Sequence, residues 1–136
     1  MKSECALKGH SGVALLLAFA AFSLCAPAAA DTLDAKALSG VVSGHTWQEK
    51  NIAGAGYLYW TWNSDGSVCL RQEPTGSCMD TGSWKLDGDS VCYDLSWWGK
   101  SGGYNARCFR IADKGGGHYE MIPVSGVTTF EFTIPE

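Results

Sequence analysis

From Tyr57 onward the chain is written as short alternating segments, six to nine residues each, separated by clusters of turn residues. Tyr57–Asn63 ends at Ser64-Asp65-Gly66, Ser67–Gln72 at Pro74-Thr75-Gly76-Ser77, and Thr81–Leu86 at Asp87-Gly88-Asp89. Ser90–Trp98 runs into Gly99-Lys100-Ser101-Gly102-Gly103, and Tyr104–Ala112 into Asp113-Lys114-Gly115-Gly116-Gly117. His118–Pro123 and Val127–Ile134 follow. This punctuation constrains the fold more than any other feature. Segments this short cannot carry a helical apolar stripe, whereas aromatic and β-branched runs cut by Asp-Gly and Gly-rich turns are hairpin chemistry. With His45–Glu49 as a first strand, the pattern predicts an all-β domain of about eight strands joined by short turns. It is a small antiparallel up-and-down barrel or a two-layer sandwich. Asp31–Gly40, with Leu33, Ala37 and Leu38, reads as a short helix or turn leading in.

The first thirty residues have another character. Lys2 and Lys8 precede the apolar run Val13–Phe22, and Pro27-Ala28-Ala29-Ala30 offers small residues before Asp31. That is the pattern of a cleavable export signal over residues 1–30, its apolar centre too short for a comfortable membrane span. Phe22-Ser23-Leu24 lacks the small residue that lipidation at Cys25 needs. The expectation is a single mature domain over 31–136, periplasmic or secreted, with no membrane span. Within it eight Lys and Arg face thirteen Asp and Glu without a basic run, which makes nucleic acid a poor partner.

Four cysteines remain after the signal: Cys69, Cys78, Cys92 and Cys108. An even number in a small exported chain reads as disulfides, and zinc fails for want of any C-x-x-C. Alternation turns Cys92 and Cys108 to one face of a hairpin centred on Lys100, close enough to bridge. Cys69 and Cys78 flank the Pro74-Thr75-Gly76 turn and form the second pair. Each bridge is worth roughly 2–3 kcal/mol in the chain-entropy model.

The same alternation sends Leu58, Trp60 and Trp62, then Val91, Tyr93, Leu95 and Trp97, then Phe109 and Ile111, and finally Phe130, Phe132 and Ile134 to the interior. So many large rings lead to the expectation of a filled barrel with little room inside. A binding surface then has to use the outer face and loop tips: Tyr57, Tyr59, Trp98, Tyr104, Arg107 and Arg110, whose rings and cations suit a sugar or a peptide. Trp98 falls on the outward side with Cys92 and Asp94, whereas Arg107 falls on the Phe109 face near a strand end.

Motifs for catalysis are weak. Gly99-Lys100-Ser101-Gly102-Gly103 satisfies the G-x-S-x-G of serine hydrolases, but it joins two β segments instead of opening a helix, and reads as a hairpin turn. His45 and His118 have no nucleophile placed beside them. Asp65, Asp87, Asp89 and Asp113 sit where turns use Asp for backbone hydrogen bonds. The residues therefore indicate a non-enzymatic, cofactor-free binding module acting on an envelope component, glycan or protein. A small envelope-directed hydrolase using His118 or a turn carboxylate is the competing class.

Gly82-Ser83-Trp84, Gly88-Asp89, Cys92 and Cys108-Phe109, with the upstream Trp62-Asn63-Ser64-Asp65-Gly66 turn, resemble a family of small exported proteobacterial proteins catalogued as a domain of unknown function. The likeness runs from about Leu38 to Pro123. It implies an exported location and carries over no catalytic residue. Gly82-Ser83-Trp84 is also similar to the G-x-W of lipocalins, where the motif opens the first strand; here it falls mid-chain, which leaves a general calycin-like barrel likeness.

Overall fold

The computed structural model describes residues 31–50 and 56–136. The expected export signal, with Cys5 and Cys25, lies outside the described residues. Among them a short helix, α1 (Ala35–Val42), precedes eight strands: β1 (His45–Lys50), β2 (Tyr57–Trp62), β3 (Ser67–Arg71), β4 (Asp80–Asp87), β5 (Ser90–Leu95), β6 (Ala106–Gly115), β7 (His118–Pro123) and β8 (Phe130–Thr133). Each strand pairs antiparallel with the next, and β8 returns to β1 through Gln48 opposite Thr133 and Glu49 opposite Phe132, which closes a barrel. Of the two architectures the turn pattern allowed, the barrel is the one formed. Among the described residues, closure leaves no edge strand exposed for intermolecular pairing.

α1 forms because Asp34 caps it, its carboxylate accepting from the Ala37 amide at 2.8 Å. Leu38 and Val42, one turn apart, share a face and are both fully buried. The helix passes straight into β1 and seals that end of the barrel. The Trp47 indole donates to the Val41 carbonyl at 2.8 Å, and the Gly44 amide donates to the Trp62 carbonyl at 2.7 Å. Beside it Trp47 stacks on Phe132 with centroids 3.9 Å apart and meets Trp62 at 4.6 Å. Leu58, Trp60, Trp62, Val91, Tyr93, Phe109 and Ile111 all point inward as alternation requires.

Both disulfides pair as expected, Cys69 with Cys78 and Cys92 with Cys108. The second joins residues directly opposite each other on β5 and β6. Gly82 of the Gly82-Ser83-Trp84 motif is explained by a close strand approach, since a Cβ there would collide with the Asp94 backbone carbonyl on β5.

Two expectations fail, for linked reasons. Alternation continued past Leu95 predicts Trp97 inside and Trp98 outside. β5 in fact stops at Leu95, and the backbone beyond it is captured by Asp80. Trp97 stands 55% exposed, while Trp98 packs against the interior. The filled barrel also fails, because one half of the interior keeps a cavity.

Candidate functional site: the barrel cavity

The cavity holds about 250 Å³ and lies in the half of the barrel away from α1. Its walls come from residues near that end: Glu49 late in β1, Leu58 and Trp60 early in β2, Phe109 in β6, Met121 in β7 and Phe130 at the start of β8. Trp62, deeper along β2, and Tyr93 of β5 also border it. Trp98, Gly99 and Tyr104, from the connection between β5 and β6, complete the lining. The lining is overwhelmingly apolar and aromatic, as small-molecule pockets are.

Glu49 is the exception. It sits on the inward face because β1 alternates, with Trp47 and Glu49 both buried. The Trp60 indole donates to Glu49 Oε2 at 2.7 Å in a fully buried hydrogen bond. Burial pushes the Glu49 carboxyl up to about 7, against the opposing pull of the Trp60 hydrogen bond. A group with that affinity is half ionised near neutrality. Across the cavity the Tyr93 hydroxyl donates to the Tyr104 carbonyl at 2.8 Å. Burial above all, then the Glu49 charge, holds the Tyr93 phenol far above its usual range, against a small opposing effect of Arg107. Trp62 keeps a buried indole N–H for which no partner is found among the described residues.

The cavity's cover is built by a second buried carboxylate. Asp80, at the start of β4, accepts from the Trp97 amide at 2.9 Å and the Trp98 amide at 2.7 Å, and from the Ser96 hydroxyl and the Thr81 amide as well. Desolvation is the largest single influence on this carboxyl and raises its pKa, but the four hydrogen bonds together outweigh it and bring it down to about 2. Asp80 thereby bends the chain after Leu95 and turns Trp98 over the cavity, edge-on to Trp60 at 5.9 Å. Beyond it Lys100–Gly102 forms one 3-10 turn, so the G-x-S-x-G motif is a loop as expected. Gly99 has φ +74°, and a Cβ on it would lie 2.9 Å from the Tyr104 Cβ, so glycine is needed both for the turn and for the seating of Tyr104.

The six residues expected to bind a ligand divide between two places. Trp98 and Tyr104 border the cavity; Tyr57, Tyr59, Arg107 and Arg110 do not. Trp98 does so from the inside, which corrects its expected outward placement. Arg107 lies over the Tyr104 ring at 4.9 Å and the Phe109 ring at 5.8 Å, on the Phe109 face as alternation required. Arg110 stands outside, 3.4 Å from Asp89. His118 is exposed at the start of β7, and neither it nor Asp87, Asp89 or Asp113 lines the cavity. Among the described residues no cluster of three or more His, Cys, Asp or Glu forms a metal site, and no helix is long and apolar enough to cross a membrane. Sequence reasoning missed Glu49 and Asp80. Glu49 was legible, as a carboxyl two positions after Trp47 on an inward face. Asp80 left no such signal, because three of its four partners, the Ser96 hydroxyl and the Trp97 and Trp98 amides, lie sixteen or more residues away.

These features define a class: a small closed antiparallel barrel, of the size that either fills with side chains or holds one small ligand. Within it, the chain belongs to the family described as Protein of unknown function (DUF995), whose model matches residues 11–127. No curated protein and no solved structure matches the chain.

Proposed function

We propose that this is an exported, non-enzymatic binding protein that takes a small molecule with an apolar body into the barrel. The observation that carries the reading is the 250 Å³ cavity, walled by rings that include Trp98 and Tyr104 from the connection between β5 and β6. An apolar cavity of ~150 Å³ is enough to hold benzene, so this one has room for a ring with a short arm. Leaving it empty forfeits contacts that further side chains would supply, a cost that a ligand recovers. Two disulfides support work in an oxidising compartment, periplasmic or extracellular. The hydrolase reading gains nothing from the site, where Glu49 meets no nucleophile and His118 stands elsewhere.

Soaking crystals with indole tests the proposal. The expected result is density for the ring between Trp60, Tyr93 and Trp98, with a raised melting temperature in solution. An interior that stays without the ring, and a melting temperature that indole does not move, would refute it.

A further inference from the structure

The chemical class of the ligand follows from what surrounds Glu49, and this inference rests on the cavity reading above. We propose that the barrel selects an organic cation: a small aromatic or alkyl amine whose ammonium group pairs with the Glu49 carboxylate while its apolar body fills the space under Trp98.

A carboxylate offers roughly four acceptor positions. Among the described residues Glu49 receives one hydrogen bond, from Trp60, and no salt bridge. The described residues supply neither the remaining donors nor the countercharge. In an apolar setting that is expensive, and an ammonium group with three donors meets both needs. The rings around the site favour the same sign. Trp60, Tyr93, Trp98 and Phe109 all line the cavity, and an aromatic face turned to a bound group attracts a cation and repels an anion. An anionic ligand would confront Glu49 with no cation among the cavity's lining residues to offset it. Size sets the last limit, since 250 Å³ admits one ring and an arm of a few atoms, not a long acyl chain.

The pairing has a proton signature. The ionisable groups facing the cavity are Glu49, Tyr93 and Tyr104, with Arg107 lying over Tyr104 and Phe109. Near neutrality Glu49 is the one that titrates, and ammonium binding requires its ionised form. Below about pH 7 the complex must therefore release a proton, and affinity must rise with pH until the carboxyl is fully ionised.

The experiment compares 2-phenylethylamine with 2-phenylethanol, probes of one shape that differ in charge. Calorimetry should show the amine bound at least tenfold more tightly than the alcohol at pH 8. That advantage should shrink more than tenfold by pH 5.5, with proton release near pH 6 read from buffers of different ionisation enthalpy. Glu49→Gln keeps an acceptor for Trp60 and should abolish the amine's advantage over the alcohol. If that variant does not fold, proton release by the unaltered protein decides. Equal binding of the two probes, or proton uptake with the amine, overturns the amine assignment while the cavity reading stands. Binding of neither probe overturns both.

Discussion

The two halves of the barrel interior use the same kind of side chain to opposite ends. Beside α1, Trp47 is fully buried, with Phe132 at 3.9 Å on one side and Trp62 at 4.6 Å on another, and Leu38 and Val42 seal the gap. In the other half the rings line a cavity instead. Trp60 and Tyr93 lie 4.9 Å apart, Trp60 and Trp98 5.9 Å, and Phe109 and Phe130 6.0 Å, around a space with one carboxyl in it. The closed half gains cohesion from rings packed directly on one another. The open half gives up part of that cohesion for room. Aromatic richness alone therefore does not distinguish a filled barrel from an open one; what distinguishes them is where helix and loops bring the chain over each end.

The largest test of this contrast is a matched pair of truncations. Trp47→Ala removes the centre of the closed half and the indole hydrogen bond to Val41, and should cost about 3–5 kcal/mol in denaturant unfolding. Trp98→Ala removes a ring that borders empty space, and should cost less than about 2 kcal/mol while weakening the capture of indole. Equal costs for the two would mean that the halves are packed alike.

Next in size is the carboxyl that the open half contains. A Glu whose folded pKa is about 7, against 4.5 when exposed, binds its proton more tightly in the native state. Its contribution is therefore neutral below about pH 4.5, turns unfavourable as pH rises through the interval, and levels off above about pH 7. The shift corresponds to about 3 kcal/mol. Glu49→Gln should be more stable than the parent at pH 8 by up to that amount, and the two should converge toward pH 4.5. Parallel stability curves would place the carboxyl in water.

Asp80 follows the opposite sign. Its folded pKa of about 2, against 3.8, means stability that is present above about pH 4 and lost as pH falls through 2. Asp80→Asn should cost about 1–3 kcal/mol at pH 7, since two loop amides and a serine hydroxyl lose a charged acceptor. The deficit should close near pH 2. Limited proteolysis should also cut the Trp97–Gly103 segment faster in the variant. An unchanged cleavage rate would show that Asp80 does not hold the cover in place.

What could be read from the sequence divides along the same line. The strands, turns and both disulfides follow from local rules, alternation and glycine, because each involves a residue and its near neighbours or its hairpin partner. Trp60, Trp62 and Phe109 were placed correctly by parity alone. Parity failed at Trp97 and Trp98, where a carboxylate seventeen residues upstream reshapes the backbone. The cavity was also out of reach, since it depends on how far apart the rings stand, and alternation gives only the direction in which they point.

The smallest expected effect concerns the outer wall, and it sharpens the contrast between wall and cavity. Arg110 and Asp89 form an ion pair at 3.4 Å with both side chains about half exposed. Water screens such a pair, and ordering two flexible side chains consumes much of what attraction remains. Arg110→Ala should therefore shift stability by less than about 0.5 kcal/mol. It also lies outside the cavity lining, so indole and 2-phenylethylamine should bind the variant as they bind the parent. Its sequence-based grouping with Trp98 and Tyr104 predicts something different, namely weakened binding without loss of fold. Calorimetry of this one variant separates the two: unchanged affinity assigns recognition to the interior, whereas a severalfold loss makes the outer face around β6 part of the site.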